Sequence, residues 1–133
     1  MKKIDHIGIA VKDLEASNKL FASLLNTTCY KIEDVPNQQV LTSFFKTDNQ
    51  KIELIAATSP SSPITKFIDK KDEGIHHIAF EVDDIHAEIV RLKGEGFEPL
   101  NEEPSKGADN KWVVFFHPKT TNGVLIELCQ EIR

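Results

Sequence analysis

The sequence predicts an α+β fold in which two βαβββ modules pair into one curved mixed sheet with a metal site in its hollow. Three observations lead to this prediction. Residues 4–7 (IDHI) match residues 75–78 (IHHI) at three of four positions, and the triplet IEL at residues 52–54 recurs at residues 126–128. The patterns of each half also predict the same order of one strand, one helix and three strands. A repeat of about 70 residues is too long for one unit of a solenoid. The two modules should therefore join, because neither can bury its sheet alone.

The first module, residues 1–58, begins with a strand and a helix. Apolar residues alternate through residues 3–11, as in a strand with one face buried. Asp13 is placed as the N-cap of a helix that ends near Asn26. Three further strands should complete the module, at residues 29–35, 39–47 and 51–57.

The second module, residues 74–133, repeats this order after a connecting segment. Residues 59–73 begin with a run of serine and proline that indicates a linker, and a short helix follows. Either Asp83 or Asp84 should cap the next helix, which ends near Gly94. A longer loop around residues 105–110 accounts for the extra length of this module. Its last three strands are predicted at residues 97–101, 112–117 and 124–130.

Composition excludes several classes of protein. The chain has 133 residues, of which 40% are hydrophobic and 28% charged, as in an ordinary globular domain. No apolar run approaches the ~20 residues of a membrane span, and the first residues do not resemble a targeting leader. A net charge of −5 disfavours nucleic acid as a partner. Cys29 and Cys129 are expected to be free thiols in the cytoplasm.

Four polar residues interrupt the apolar pattern at matching places in the two modules. They are His6, Glu53, His77 and Glu127. Because their apolar neighbours should pack on a helix, these side chains should point to the opposite face of the sheet. Two imidazoles and two carboxylates in one hollow suit a divalent first-row metal ion. The alternative is that they are unrelated surface or edge residues.

The remaining histidines are weaker candidates for a functional site. His76 should point to the core, where it would have a packing role. His86 is expected on a helix surface. His117 precedes Pro118 at the mouth of a long loop and is a candidate for contact with a substrate.

Three motifs, at residues 5–11, 74–84 and 117–128, read DHIGIAV, GIHHIAFEVDD and HPKTTNGVLIEL. They resemble motifs of the vicinal oxygen chelate superfamily (glyoxalase, bleomycin resistance and dioxygenase proteins), and more narrowly of its methylmalonyl-CoA epimerases. The resemblance covers nearly the whole chain. It implies that residues 1–133 form a single vicinal-oxygen-chelate domain.

The resemblance also implies an activity and a ligand set. The activity is interconversion of the 2R and 2S forms of methylmalonyl-CoA, by removal of the α-proton and formation of a metal-stabilised enolate. The implied ligands of one divalent ion per chain, which could be cobalt, manganese, nickel or zinc, are His6, Glu53, His77 and Glu127. Glu127 and Glu53 are the candidate acid and base. The implied partners are an acyl-CoA substrate and a second copy of the chain, with no nucleic acid or membrane.

One departure from the epimerase pattern concerns the second base. Some epimerases carry a carboxylate on the third strand, where this chain has Leu41, Thr42 and Ser43. A relative, glyoxalase I, uses two metal-binding glutamates on opposite sides of its substrate, and Glu53 with Glu127 would match that arrangement. The second base therefore stays open between Glu53 and an unidentified group.

Two other functions compete with epimerisation. The first is that of another metalloenzyme of the superfamily, similar to glyoxalase I or to a dioxygenase. A dioxygenase would need two histidines and one carboxylate for iron, so the fourth ligand type at Glu53 counts against it. The second is metal-free binding, which the presence of all four ligand types disfavours. For the phosphates of CoA, the candidate cations are Lys106, Lys111 and Lys119, with solvated surface lysines as the alternative.

Overall fold

The computed structural model describes residues 1–133 and confirms the α+β class with eight strands and three α-helices. The helices are α1 (Leu14–Leu25), α2 (Pro63–Lys71) and α3 (Ile85–Gly94). None of them has the length and apolar character that a membrane-crossing helix needs. The strands are β1 (Lys3–Ala10), β2 (Lys31–Val35), β3 (Val40–Lys46), β4 (Lys51–Ala57), β5 (Gly74–Glu81), β6 (Ser105–Gly107), β7 (Lys111–Phe116) and β8 (Ile126–Glu131).

Contacts within the chain define two compact units. The N-terminal unit is His6–His76, and the C-terminal unit combines Met1–Asp5 with His77–Arg133. The strand order is β2-β3-β4-β1 in the N-terminal unit and β1-β5-β8-β7-β6 in the C-terminal unit. Strand β1 contributes residues to both units, so the eight strands belong to one sheet. Strands β1 and β4 are parallel, as are β5 and β8, whereas the hairpins are antiparallel. The predicted mixed sheet is thus confirmed.

In the N-terminal unit, helix α1 packs on one face of the sheet. The helix begins at Asp13, whose carboxylate accepts a hydrogen bond from the backbone N–H of Ala16. It ends at Asn26, which adopts the left-handed conformation with a φ of 53°. Both ends agree with the sequence prediction. The core beneath the helix combines buried residues of the sheet with partly buried residues of the helix, including Phe45, Leu54, Leu14, Phe21 and Leu25.

In the C-terminal unit, helix α3 covers the sheet in the same way. Its buried residues Ile85, Ile89 and Leu92 follow the i, i+4, i+7 spacing of a helix face. They pack against buried Val114 and Phe116 of β7 and Leu128 of β8, and against Val82, which directly follows β5. The opposite face of this sheet is thereby left for the polar residues that alternate with the apolar ones.

The structure corrects the prediction of a strand at residues 97–101. This segment makes only an isolated bridge to β7, between Pro99 and Phe116. The bridge is held by backbone hydrogen bonds from Leu100 N–H to Phe115 O and from His117 N–H to Glu98 O, and the pairing does not continue into a ladder. Strand β6 lies instead at Ser105–Gly107 and pairs with β7 in a hairpin. A β-carbon at Gly107 would lie 3.0 Å from the side chain of Val113, so any larger residue here would require that side chain to shift by a few tenths of an ångström.

The choice between Asp83 and Asp84 as the cap of α3 is decided by the structure. The carboxylate of Asp84 accepts the backbone N–H of Ala87, whereas Asp83 makes an exposed ion pair with Lys2. We expect Asp84→Ala to lower the free energy of unfolding by about 1 kcal/mol, since a capping bond is lost. Asp83→Ala should cost less, because exposed ion pairs contribute little. Urea unfolding of both variants provides the test, and equal losses would contradict this assignment.

Candidate active site

The N-terminal unit contains a buried pair of a histidine and a glutamate. His6 lies on β1 and Glu53 on the neighbouring strand β4, and the two strands are parallel. The Nδ1 atom of His6 is 3.1 Å from Oε2 of Glu53, and the side chains are only 5% and 6% exposed. Ile52 and Leu54, on either side of Glu53, and Ile9 of β1 pack in the core under α1. Strand alternation therefore sets both polar side chains on the other face.

The C-terminal unit contains a second such pair. The Nε2 atom of His77 on β5 lies 3.1 Å from Oε1 of Glu127 on β8, with side chains that are 4% and 7% exposed. The ring of Phe115 meets the imidazole of His77 edge-on, with centroids 5.5 Å apart. Phe115 is also the residue of β7 directly opposite Glu127. This aromatic wall restricts the rotation of the imidazole.

The two pairs occupy the same register in their respective units. In the parallel pairing of β1 with β4, the residue opposite Glu53 lies two positions after His6. In the pairing of β5 with β8, the residue opposite Glu127 lies two positions after His77. The helix-capping aspartate follows the histidine by seven positions in both units. We propose that residues 1–58 and 74–133 are two copies of one module, joined by residues 59–73.

The four side chains have the chemistry that a divalent metal ion requires. Imidazole nitrogens and carboxylate oxygens are common ligands of first-row metals, and all four residues belong to buried groups that could hold an ion. A buried carboxylate is costly unless it is paired. A cation that binds both members of a His–Glu pair would provide such a partner. The residues present therefore fit a metal ion.

The remaining histidines make structural contacts. The imidazole of His76 packs edge-on against Phe67 of α2, with centroids 4.9 Å apart, in line with the predicted packing role. His86 is exposed, 3.6 Å from Glu103. The Nδ1 atom of His117 accepts the backbone N–H of Lys119 and caps a short 3₁₀ helix. That bond leaves Nε2 as the atom with which His117 could contact a substrate.

Comparison with known families identifies the fold. The sequence profile of the Glyoxalase/Bleomycin resistance protein/Dioxygenase superfamily matches residues 5–116. The chain belongs to this superfamily. Buried His–Glu pairs at equivalent places in two units are thus features of a glyoxalase-type chain.

Individual relatives within the superfamily carry epimerase names. The chain is 42% identical to an ethylmalonyl-CoA/methylmalonyl-CoA epimerase of Cereibacter sphaeroides, over 96% of this chain and 97% of the relative. It is 38% identical to the mitochondrial methylmalonyl-CoA epimerase of Homo sapiens, over 96% of this chain and 73% of the relative. A crystallised variant of the Streptomyces coelicolor methylmalonyl-CoA epimerase, in complex with 2-nitronate-propionyl-CoA, matches with a TM-score of 0.95 and 31% identity, covering 98% of this chain and 95% of that one.

The third strand of this glyoxalase-type chain has no carboxylate beside Glu53. The residue of β3 opposite Glu53 is Phe44, and Thr42 shares its face because the two are separated by one residue. Ser43 lies on the other face, fully buried opposite Leu54. Of the third-strand positions considered from the sequence, Thr42 is thus on the same face as Glu53 and Ser43 is not.

One acidic residue of the same face was not singled out from the sequence. Glu33 of β2 lies opposite Thr42, which places it on the Glu53 face of the N-terminal unit. Its neighbour on that face is Lys31, whose ammonium group stands 4.4 Å from the centroid of the Phe44 ring. The alternation of β2 could have indicated this face, but its pairing with β3 was needed to relate it to Glu53.

The three lysines considered for CoA phosphates have different environments. Lys111 is buried and forms an ion pair with Asp5, so its expected place at the mouth of a site is wrong. Lys119 is exposed and pairs with Glu98 at 3.0 Å. Lys106 is exposed on β6. Only the last two have ammonium groups that a phosphate in solvent could approach.

Proposed function

We propose that this chain is a metal-dependent epimerase that interconverts the 2R and 2S forms of methylmalonyl-CoA. The observation that carries the proposal is the buried His–Glu pair found in the same register of both units. The epimerase names of relatives that match nearly the whole chain support the substrate. A lyase of the glyoxalase I type is the alternative, and those names do not favour it.

The proposed ligands of one divalent ion are His6, Glu53, His77 and Glu127. The burial of each side chain and the 3.1 Å separation within each pair support this assignment. When bound, such an ion would act as a Lewis acid toward the negative charge that develops on the substrate. Epimerisation changes no oxidation state, so the metal ion need not be redox-active, and cobalt, manganese, nickel or zinc could each serve.

In the proposed reaction the protein residues transfer the proton, limit the access of water and orient a metal ligand. The proton to be moved lies on the carbon between a thioester and a carboxylate, and it must leave one face of that carbon and return to the other. We assign Glu127 as one proton carrier and Glu53 as the other. Their buried positions limit the access of water, which would otherwise compete for the proton. The edge of the Phe115 ring helps to keep His77 in one orientation.

The acyl-CoA substrate, a homodimer and a cytoplasmic location are parts of the same proposal. Exposed Lys106 and Lys119 are the candidate contacts for the CoA phosphates. Leu20 and Leu24 of α1 are 65% and 69% exposed, and such apolar exposure supports association with a second copy. The free thiols of Cys29 and Cys129 support a reducing compartment.

Metal analysis followed by proton exchange tests the proposed function. We expect the purified protein to bind about one equivalent of divalent metal, in line with one four-ligand site per chain. The loaded protein should incorporate deuterium from D₂O at the α-carbon of methylmalonyl-CoA while it inverts that centre. Chelation should stop both processes, and added metal should restore them. Turnover of a glutathione hemithioacetal without α-proton exchange in methylmalonyl-CoA would favour the lyase.

A further inference from the structure

A second buried charged pair lies in the C-terminal unit, next in sequence to His6. The Nζ atom of Lys111 is 2.8 Å from Oδ1 of Asp5, and the two side chains are 6% and 4% exposed. Other lysine–carboxylate pairs of this unit, such as Lys93 with Glu102, are much more exposed. The mechanism proposed above uses neither Asp5 nor Lys111.

A gain in folding stability does not by itself explain why this ion pair is buried. Two charges lose hydration when they leave water, and their attraction recovers that loss only partly. Apolar residues of similar size are often as stabilising at such positions. A buried ion pair can instead hold two segments of the chain in one relative position. Here one of those segments is β1 at Asp5, the residue that directly precedes His6.

We propose that Lys111 and Asp5 form a positioning pair that orients His6 for metal binding, an inference that rests on the proposed function. The pair ties the backbone at Asp5 to the first residue of β7. The planar peptide bond between Asp5 and His6 transmits this constraint to the α-carbon of His6. A metal ligand must lie within about 0.5 Å of its productive position, so a small relaxation of β1 would weaken binding.

The experiment removes both charges at once, so that neither is left buried alone. The double variant Asp5→Asn/Lys111→Met keeps the approximate side-chain volumes and avoids the large penalty of an orphan charge. Its affinity for Co²⁺ is measured by competition with a chelator, and its ligand geometry by visible absorption of the Co²⁺ form. We expect affinity to fall about 10- to 100-fold, the usual effect of losing an interaction that orients a metal ligand. The absorption bands should shift.

The matched control is the exposed pair of the same unit, in the double variant Lys93→Met/Glu102→Gln, which should bind Co²⁺ as the wild type does. Lys111→Arg keeps the charge and should also retain wild-type affinity and spectrum. If Asp5→Asn/Lys111→Met does not fold, Asp5→Leu/Lys111→Met serves in its place, since it also removes both charges, and the same fall in Co²⁺ affinity is expected.

One result would overturn the positioning role, and a different result would contradict the proposed function. Wild-type affinity and spectrum in a folded charge-free variant would overturn the positioning role, and the pair would then be structural only. A wild-type protein that binds no Co²⁺ would instead contradict the proposed function, before any variant is compared. Circular dichroism and thermal unfolding of each variant separate loss of metal binding from loss of fold.

Discussion

His77→Ala should remove most of the bound metal and abolish epimerisation. The substitution deletes one of four proposed ligands and leaves Glu127 buried without the imidazole that now lies 3.1 Å away. Elemental analysis after dialysis measures the metal, and deuterium exchange at the α-carbon measures the activity. The metal content should fall to a small fraction of that of the wild type, and the exchange rate should fall to the background of the metal-free protein.

The control for this experiment is His86→Ala. His86 is exposed on α3 and lies near Glu103, so its removal should change neither metal content nor rate. The double variant His6→Ala/His77→Ala provides the stricter test, since it removes one ligand from each pair. Full metal occupancy in that double variant would refute the proposed site.

Glu127→Gln and Glu53→Gln should each slow epimerisation by a factor of about 10²–10⁴, the usual contribution of a positioned acid or base. Glutamine keeps an oxygen that can ligate metal but cannot carry the proton. Each variant should therefore retain part of its metal while losing most of its rate. Glu131→Gln is the control, because Glu131 is exposed near the end of the same strand as Glu127.

The two variants should also differ in their behaviour toward the substrate enantiomers. If the carboxylates face opposite sides of the α-carbon, each variant keeps one working carboxylate. It should still exchange the α-proton of one enantiomer without inverting it, and the two variants should prefer opposite enantiomers. Chiral analysis of the product together with its deuterium content measures both effects.

An unimpaired Glu53→Gln variant would remove Glu53 from the acid/base role. A metal-loaded protein that epimerises at the wild-type rate would be that result. Glu33 would then be the next carboxylate to examine, since it lies on the Glu53 face of the sheet opposite Thr42. Glu33→Gln in the wild-type background would test that assignment directly.

The sequence predicted those features of the fold that depend on neighbouring residues. The cap at Asp13, the left-handed Asn26 and the strands that carry both His–Glu pairs all follow from local patterns. The repeated motifs also predicted that the two His–Glu pairs are equivalent, because they place each histidine on the first strand of its module and each glutamate on the last. The predicted strand at residues 97–101 was wrong because the backbone pairing of this segment with β7 is limited to the bridge between Pro99 and Phe116, and local alternation does not reveal how far a pairing extends.

The environment of Lys111 could not be predicted in this way. A lysine at the start of a strand is usually solvated, and nothing in residues 105–117 indicates burial. Its partner, Asp5, is 106 positions away in the sequence, so only the folded chain brings the two together. Long-range ionic contacts of this kind have no local periodicity that could reveal them.

The proposed ligands all lie inside strands, and this has a consequence for how new activities can evolve on the fold. The ladders of β1 with β4 and of β5 with β8 hold the donor atoms, whereas the connections at residues 108–110 and 117–125 lie outside those ladders. Insertions or exchanges in these connections can reshape what enters the site without moving the donors. A chain of this design can therefore acquire a different substrate and keep the same underlying chemistry.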